Sequence, residues 1–191
     1  MDDFHAPDVT APLRLDERFG ALAATATVKG MFFTDVAQDV RRRAGRAPGR
    51  QRYVAFRDYP FREWIELLAE AAELAYPHEP ALEGIRRLGQ RAYPLFVSSR
   101  AGAVIAALAG RTVSGTLKQL PRALRVAQSL GSIEIREQGD GHALLELRDL
   151  YDFPDTYYTG VVEGILAGFQ TEGEVLVRDV TLCDADMLVR W

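Results

Sequence analysis

The chain has little of what most catalytic and metal chemistry uses: among 191 residues there is one cysteine, Cys183, and three histidines, His5, His78 and His142. A single cysteine excludes an intramolecular disulfide and a multi-cysteine zinc site, and it suits a reducing cytoplasm, the expected location. No Ser-His-Asp, Cys-His or phosphate-loop arrangement is present, so no catalytic residue, metal or cofactor is expected. Charge of one sign is also lacking: the formal net charge is -4, and the chain has no global field to draw in nucleic acid or an acidic membrane. Long apolar runs are missing as well. The longest, Ala101 to Ala109, is about half of what a membrane span requires. Met1 to Arg14 lacks the basic start and apolar stretch of a signal peptide, which predicts a protein neither exported nor membrane-spanning.

What is present reads as one globular unit. A hydrophobic fraction of 48% with 26% charged residues is a folding composition, and the length suffices for a real core. Residues 1–20, with Pro7 and Pro12 and no sustained periodicity, read as a flexible lead-in without core, and residues 21–191 as a single α+β domain. Helical spacing runs through the first two-thirds. Phe32, Val36 and Val40 share one face of a helix that begins near Val28 and stops near Gly45. Asp58 or Tyr59 caps a second helix striped by Trp64, Leu67, Leu68, Ala71, Ala72 and Ala75. Pro80 opens a third, with Leu82, Ile85, Leu88, Gly89 and Ala92 inward and Pro94 ending or kinking it. A fourth covers about 99–109, and one or two more lie between Thr112 and Leu130, closed by Gly131.

The spacing then changes to alternation. Ile133 and Ile135 alternate with Glu134 and Arg136, Gln138-Gly139-Asp140-Gly141 turns the chain, and 142–148 returns. A helix over about 156–169 follows, then a second hairpin of Glu174 to Leu182 and Met187 to Trp191 turning at Asp184-Ala185-Asp186. The expected fold is therefore a helical portion followed by a ββαββ unit, a four-stranded antiparallel sheet packed on helices.

Three stretches carry a resemblance: Val28-Lys29-Gly30-Met31-Phe32-Phe33, Ile85-Arg86-Arg87-Leu88-Gly89-Gln90-Arg91-Ala92-Tyr93, and Tyr158-Thr159-Gly160-Val161-Val162-Glu163-Gly164-Ile165-Leu166 through Val189-Arg190-Trp191. In this order they resemble an uncharacterised paralogous family of myxobacterial proteins. That family is in turn distantly similar to haem nitric-oxide-binding domains, vinyl-reductase-like ligand-binding domains and trafficking-complex subunits of the helices-then-ββαββ plan. The resemblance implies a sensor or adaptor with a cleft between helices and sheet. It also implies where haem would be held: a histidine at the position of Leu124, and a Tyr-x-Ser-x-Arg motif where this chain reads Leu147-Arg148-Asp149-Leu150-Tyr151. Neither anchor is present, so the cleft is expected to lack haem ligands.

Several residues are candidates for a site. Gly160, Gly164 and Gly168 form a bare stripe on the last helix, which either lets that helix lie close on the sheet or leaves space for a ligand. Tyr151, Phe153, Tyr157 and Tyr158 gather at the start of the same helix and either stack on a planar ligand or cap the core. Leu124 joins Tyr157 and Tyr158 as a cleft residue through the resemblance. Arg42, Arg46, Arg50 and Arg52, in the basic stretch from Arg41, are the anion-binding candidates, against the alternative of a solvated loop. Asp152 and Asp155 read as turn and helix-cap residues, and Cys183 as a strand-end thiol disfavoured as a nucleophile by Asp184 and Asp186. The functional expectation is a non-catalytic ligand-binding or protein-interaction module of bacterial signalling, self-associating or docking a protein partner, with a possible apolar ligand. The alternative is a sensor or enzyme that binds a tetrapyrrole, lipid or cyclic dinucleotide in the cleft.

Overall fold

In the computed structural model the described residues are 3–191, apart from 51, 99–101, 105, 106, 108, 109, 111 and 140. The fourth expected helix, over 99–109, falls largely outside them. A short helix α1 (Leu15–Ala21) leads into β1 (Thr27–Lys29) and α2 (Gly30–Ala44), then β2 (Asp58–Pro60) and α3 (Phe61–Ala75). Next come α4 (Ala81–Ser98), α5 (Val113–Leu117) and α6 (Leu120–Ala127). The carboxyl-terminal unit is β3 (Ser132–Gly139), β4 (His142–Arg148), α7 (Tyr157–Gly168), β5 (Glu174–Asp179) and β6 (Ala185–Arg190). The chain is thus mixed α+β, with helices mostly first and a four-stranded antiparallel sheet last. Among the described residues no helix is long and apolar enough to cross a membrane.

The sheet runs in the order β3-β4-β6-β5, so the two hairpins join through β4 and β6. Alternation decides its buried face: Ala143, Leu145 and Leu147 on β4 and Met187 and Val189 on β6 all turn inward. The second hairpin turns at 180–184, earlier than expected, because Ala185 and Asp186 pair with Asp179 and Arg178 inside the ladder. Asp186 draws hydrogen bonds from Arg148 and Arg178, which fixes it on the strand.

Other expectations shift by small steps. The buried face of α2 is Phe33, Val36, Ala37 and Val40, while Phe32 is only half-buried, one residue out of the expected register. The reason is that β1 occupies Thr27–Lys29, so the helix starts two residues later and turns Phe33 toward Tyr53, Tyr59 and Trp64, with ring centroids 4.6, 5.5 and 5.2 Å away. Asp58 and Tyr59 do not cap α3. They lie in β2, where Asp58 faces Lys29 across the ladder and binds its ammonium at 2.8 Å. Gly131, with φ +82°, precedes β3 rather than closing a helix, since α6 already ends at Ala127. Pro94 sits within α4, which continues to Ser98.

The expectation that residues 1–20 contribute no core does not hold. His5 exchanges two backbone hydrogen bonds with Val177 on the edge strand β5, at 2.9 and 2.8 Å. Arg18 of α1 is only 4% exposed, donates to the carbonyls of Leu13, Tyr151 and Leu182, and lays its guanidinium 4.3 Å from the Phe153 ring centroid. A charged residue in a tail lacks the apolar signature by which core positions are read from sequence. Here its donors are satisfied by loop carbonyls from three separate segments.

A cavity between the helices and the sheet

The helix α7 has two working faces. Along one, Gly160 and Gly164 meet the backbone of α4 so closely that an added Cβ would lie 1.9 Å from the Arg86 carbonyl oxygen and 2.4 Å from that of Gln90. Gly89 returns the arrangement from α4, where a Cβ would fall 2.1 Å from the Tyr157 carbonyl oxygen. At Gly168 an added Cβ would fall 2.8 Å from the ring of Tyr93. The glycine stripe therefore seats α7 on a helix, not on the sheet, and the three glycines leave no room for a ligand. Arg86 and Gln90 clamp the seam by donating to Glu163 at 2.7 and 2.9 Å.

The other face of α7 bounds a cavity of about 120 Å³. Tyr157, Tyr158, Val161 and Ile165 form this wall, opposite Leu120, Ala123, Leu124 and Ala127 of α6 and Thr116 of α5. Phe32, Trp64, Tyr93 and Phe96 bring aromatic rings from α2, α3 and α4, and Ile133 of β3 supplies the sheet side. Phe32 and Phe96 stack with centroids 6.3 Å apart. Leu124, Tyr157 and Tyr158, three of the cleft candidates, thus line the cavity, whereas Gly160, Gly164 and Gly168 do not.

One ionisable group with a formal charge at neutral pH stands in this wall among the described residues. Asp152 is 1% exposed, in the loop between β4 and α7. Trp64 Nε1 donates to its Oδ2 at 3.1 Å, and the Tyr158 hydroxyl lies 3.2 and 3.3 Å from its two oxygens. Burial pushes the Asp152 carboxyl up to about 6, against the pull of those two donors. Burial also holds the Tyr157 and Tyr158 hydroxyls neutral by raising them far above their ordinary range. Phe153, next along, has φ 64° and is fully buried, so the chain takes a left-handed step there that directs Asp152 and Phe153 inward. The expected turn residue is thus a buried acid. The cap position of α7 falls to Thr156, which makes no side-chain cap bond, one residue after Asp155, whose carbonyl accepts from the Thr159 hydroxyl at 2.6 Å.

Thr116, Gln119 and Gln128 are further polar side chains on the wall, and of these Thr116 has its Oγ1 buried without a hydrogen-bond partner. Sequence reasoning passed over Trp64, Thr116 and Asp152 as site residues. The one available signal was an acid set inside Leu150-Tyr151-Asp152-Phe153, an otherwise apolar stretch.

The arginine candidates do not converge. Arg42 and Arg43 bind the buried carboxylate of Asp39, Arg50 forks onto Glu63, and Arg46 and Arg52 stand exposed in the loop. Tyr151 donates to the Ala21 carbonyl, which ties it to α1 rather than to the cavity. None of the three histidines and not the single cysteine lines the cavity: His5 lies against β5, His78 is exposed in a loop, His142 meets Glu137 at 3.2 Å, and Cys183 sits in the β5–β6 turn. Burial raises the Cys183 thiol, with Asp184 adding to the rise. Arg148, within the stretch that replaces the Tyr-x-Ser-x-Arg motif, is committed to Asp186 at 2.7 Å.

The same fold occurs in solved H-NOX structures. An unliganded Fe(II) H-NOX protein from K. algicida superposes with a TM-score of 0.64 at 12% identity, covering 85% of this chain and 95% of that one. The Fe(II)CO form of an H-NOX domain from Shewanella oneidensis gives 0.64 at 15% identity, over 85% and 97% of the two chains. An oxygen complex of an oxygen-binding H-NOX domain related to soluble guanylate cyclases gives 0.56 at 16% identity, over 84% and 90%. No curated protein matches the sequence. One family does, described as protein of unknown function DUF2378, and since its match runs over residues 21–191, the chain belongs to that family.

Proposed function

We propose that this chain is a haem-free, non-catalytic sensor or adaptor of bacterial signalling that takes a small, largely apolar ligand into the cavity between α6 and α7. The observation that carries the reading is the composition of the cavity wall. Haem needs an axial ligand such as histidine, cysteine, methionine or a tyrosine phenolate, and burial holds the two tyrosines of the wall, Tyr157 and Tyr158, in the neutral form. None of the histidines, the cysteine, Met31 or Met187 reaches the wall, and Leu124 stands where the resemblance puts the histidine. The described lining has no lysine or arginine for propionates, and 120 Å³ is below the roughly 300–1,000 Å³ of pockets that hold drug-sized molecules. A cavity of roughly 150 Å³ takes benzene. An H-NOX-like fold supports ligand sensing; the haem itself does not fit these residues.

Occupancy passes, in this reading, to a protein partner or to a second copy of the chain. The loop of Arg46, Arg50 and Arg52 supports such a surface, because it presents Phe56, 77% exposed, beside Val54. The test is a thermal-shift and NMR titration with toluene, alongside equimolar haem. Toluene is expected to raise Tm in the native chain and to fail in Ala123→Phe, which fills the cavity, while haem keeps the broad absorbance of its free form. A sharp absorbance band from a one-to-one haem complex would overturn the reading.

A further inference from the structure

We propose that the cavity selects small alkylamines that carry one aromatic ring, with Asp152 accepting from the ammonium, Thr116 Oγ1 offering it a further acceptor and the aromatic wall surrounding the hydrocarbon part. The inference rests on the ligand-binding reading above and names the chemistry of its ligand.

Asp152 is a buried carboxylate whose hydrogen bonds come from neutral donors. An ionised carboxyl offers about four acceptor positions, and Trp64 and Tyr158 are the side chains that fill some of them. The guanidinium whose charge acts on it, that of Arg18, spends its donors on the carbonyls of Leu13, Tyr151 and Leu182 instead. The acid therefore keeps acceptor capacity without an ion-pair partner, in a wall whose described residues include no lysine or arginine.

Thr116 Oγ1 supplies the second, independent observation. It is buried, lines the cavity and has no hydrogen-bond partner. An orphaned buried hydroxyl costs free energy that a polar ligand group would recover. Trp64, Tyr157 and Tyr158 line the same cavity, and aromatic faces attract a cation through their ring quadrupoles. A carboxylate, a hydroxyl and aromatic faces in a space of this size match one organic ammonium on one ring. An anion would meet Asp152 with like charge, and a neutral hydrocarbon would leave both polar groups unanswered.

The experiment is calorimetric titration of the whole chain at pH 7.5 with benzylamine, toluene and benzoate, repeated on Asp152→Asn and Thr116→Val. Benzylamine is expected to bind about ten-fold or more tighter than toluene, the range of a hydrogen bond to a charged group, with benzoate weakest. Asp152→Asn is expected to bring benzylamine down to toluene's affinity while toluene still binds, which shows the cavity intact. Should Asp152→Asn lose toluene as well, Thr116→Val decides: a drop of about three-fold or more for benzylamine alone supports the proposal, and no drop overturns it. Equal binding of amine and toluene by the native chain, or of benzoate and amine, overturns amine selection and leaves the apolar cavity standing. No binding by any probe overturns both readings.

Discussion

Trp64 and Asp152, 88 positions apart, meet in the interior through a 3.1 Å hydrogen bond from the indole Nε1 to the carboxylate Oδ2. That bond ties α3 to the loop preceding α7 and fixes one corner of the cavity.

Trp64→Phe keeps a ring in place but removes the donor from a buried acid. The expected loss is about 1–3 kcal/mol of stability, read from urea unfolding. The Asp152 carboxyl is also expected to titrate at higher pH, followed by carbon-13 NMR, because one of the donors that stabilise its charged form has gone.

The pH dependence has a definite sign. Burial raises Asp152 from 3.8 to about 6 in the folded chain, so between those values the native state binds more protons than the unfolded one. Its contribution to stability is thus fullest below about 4 and is lost as pH rises through about 6. Relative to Asp152→Asn, the native chain is expected to lose about 2 kcal/mol between pH 4 and 7. Asp35, also raised to about 6 by burial, is common to both proteins and cancels in the difference. Urea unfolding of the pair across that range checks this, and a gap independent of pH would contradict it.

Along the glycine seam the outcomes should diverge. Gly160→Ala and Gly164→Ala drive a methyl into the carbonyls of Arg86 and Gln90 and are expected to cost about 2 kcal/mol or more despite a better helix propensity. Gly168→Ala meets only the ring of Tyr93, which can rotate, and should stay within about 1 kcal/mol of the native chain. Thermal unfolding of the three variants separates them.

Arg18→Met tests whether the amino-terminal segment is part of the core. It removes the donors to the Leu13, Tyr151 and Leu182 carbonyls and the stack on Phe153. About 2–4 kcal/mol should be lost, with faster proteolysis of the segment before α2. Wild-type behaviour would show that α1 is dispensable.

Several features were legible without coordinates because they depend on neighbours in the chain. Alternation at Ile133 and Ile135 marked β3, the Gly139 to Gly141 stretch marked its turn, and the apolar stripe from Trp64 to Ala72 marked α3. Fourfold glycine spacing marked a bare face on α7, but its partner was misjudged, since a stripe of small residues suits a helix or a sheet equally. Phe33, rather than Phe32, faces the core because three residues of β1 precede the helix and reset its phase.

The sequence by itself determined the plan of helices followed by a ββαββ unit, the lack of a second cysteine and the small set of histidines available to any metal or haem. Those are local or compositional properties, and periodicity and counting reach them. Only the tertiary structure decided that Gly160 and Gly164 press on α4, that Arg18 is buried, and that Trp64, Thr116 and Asp152 share one cavity. Such meetings join segments tens of residues apart, and they are set by packing and by the need to satisfy buried polar groups, neither of which leaves a periodic trace in the chain.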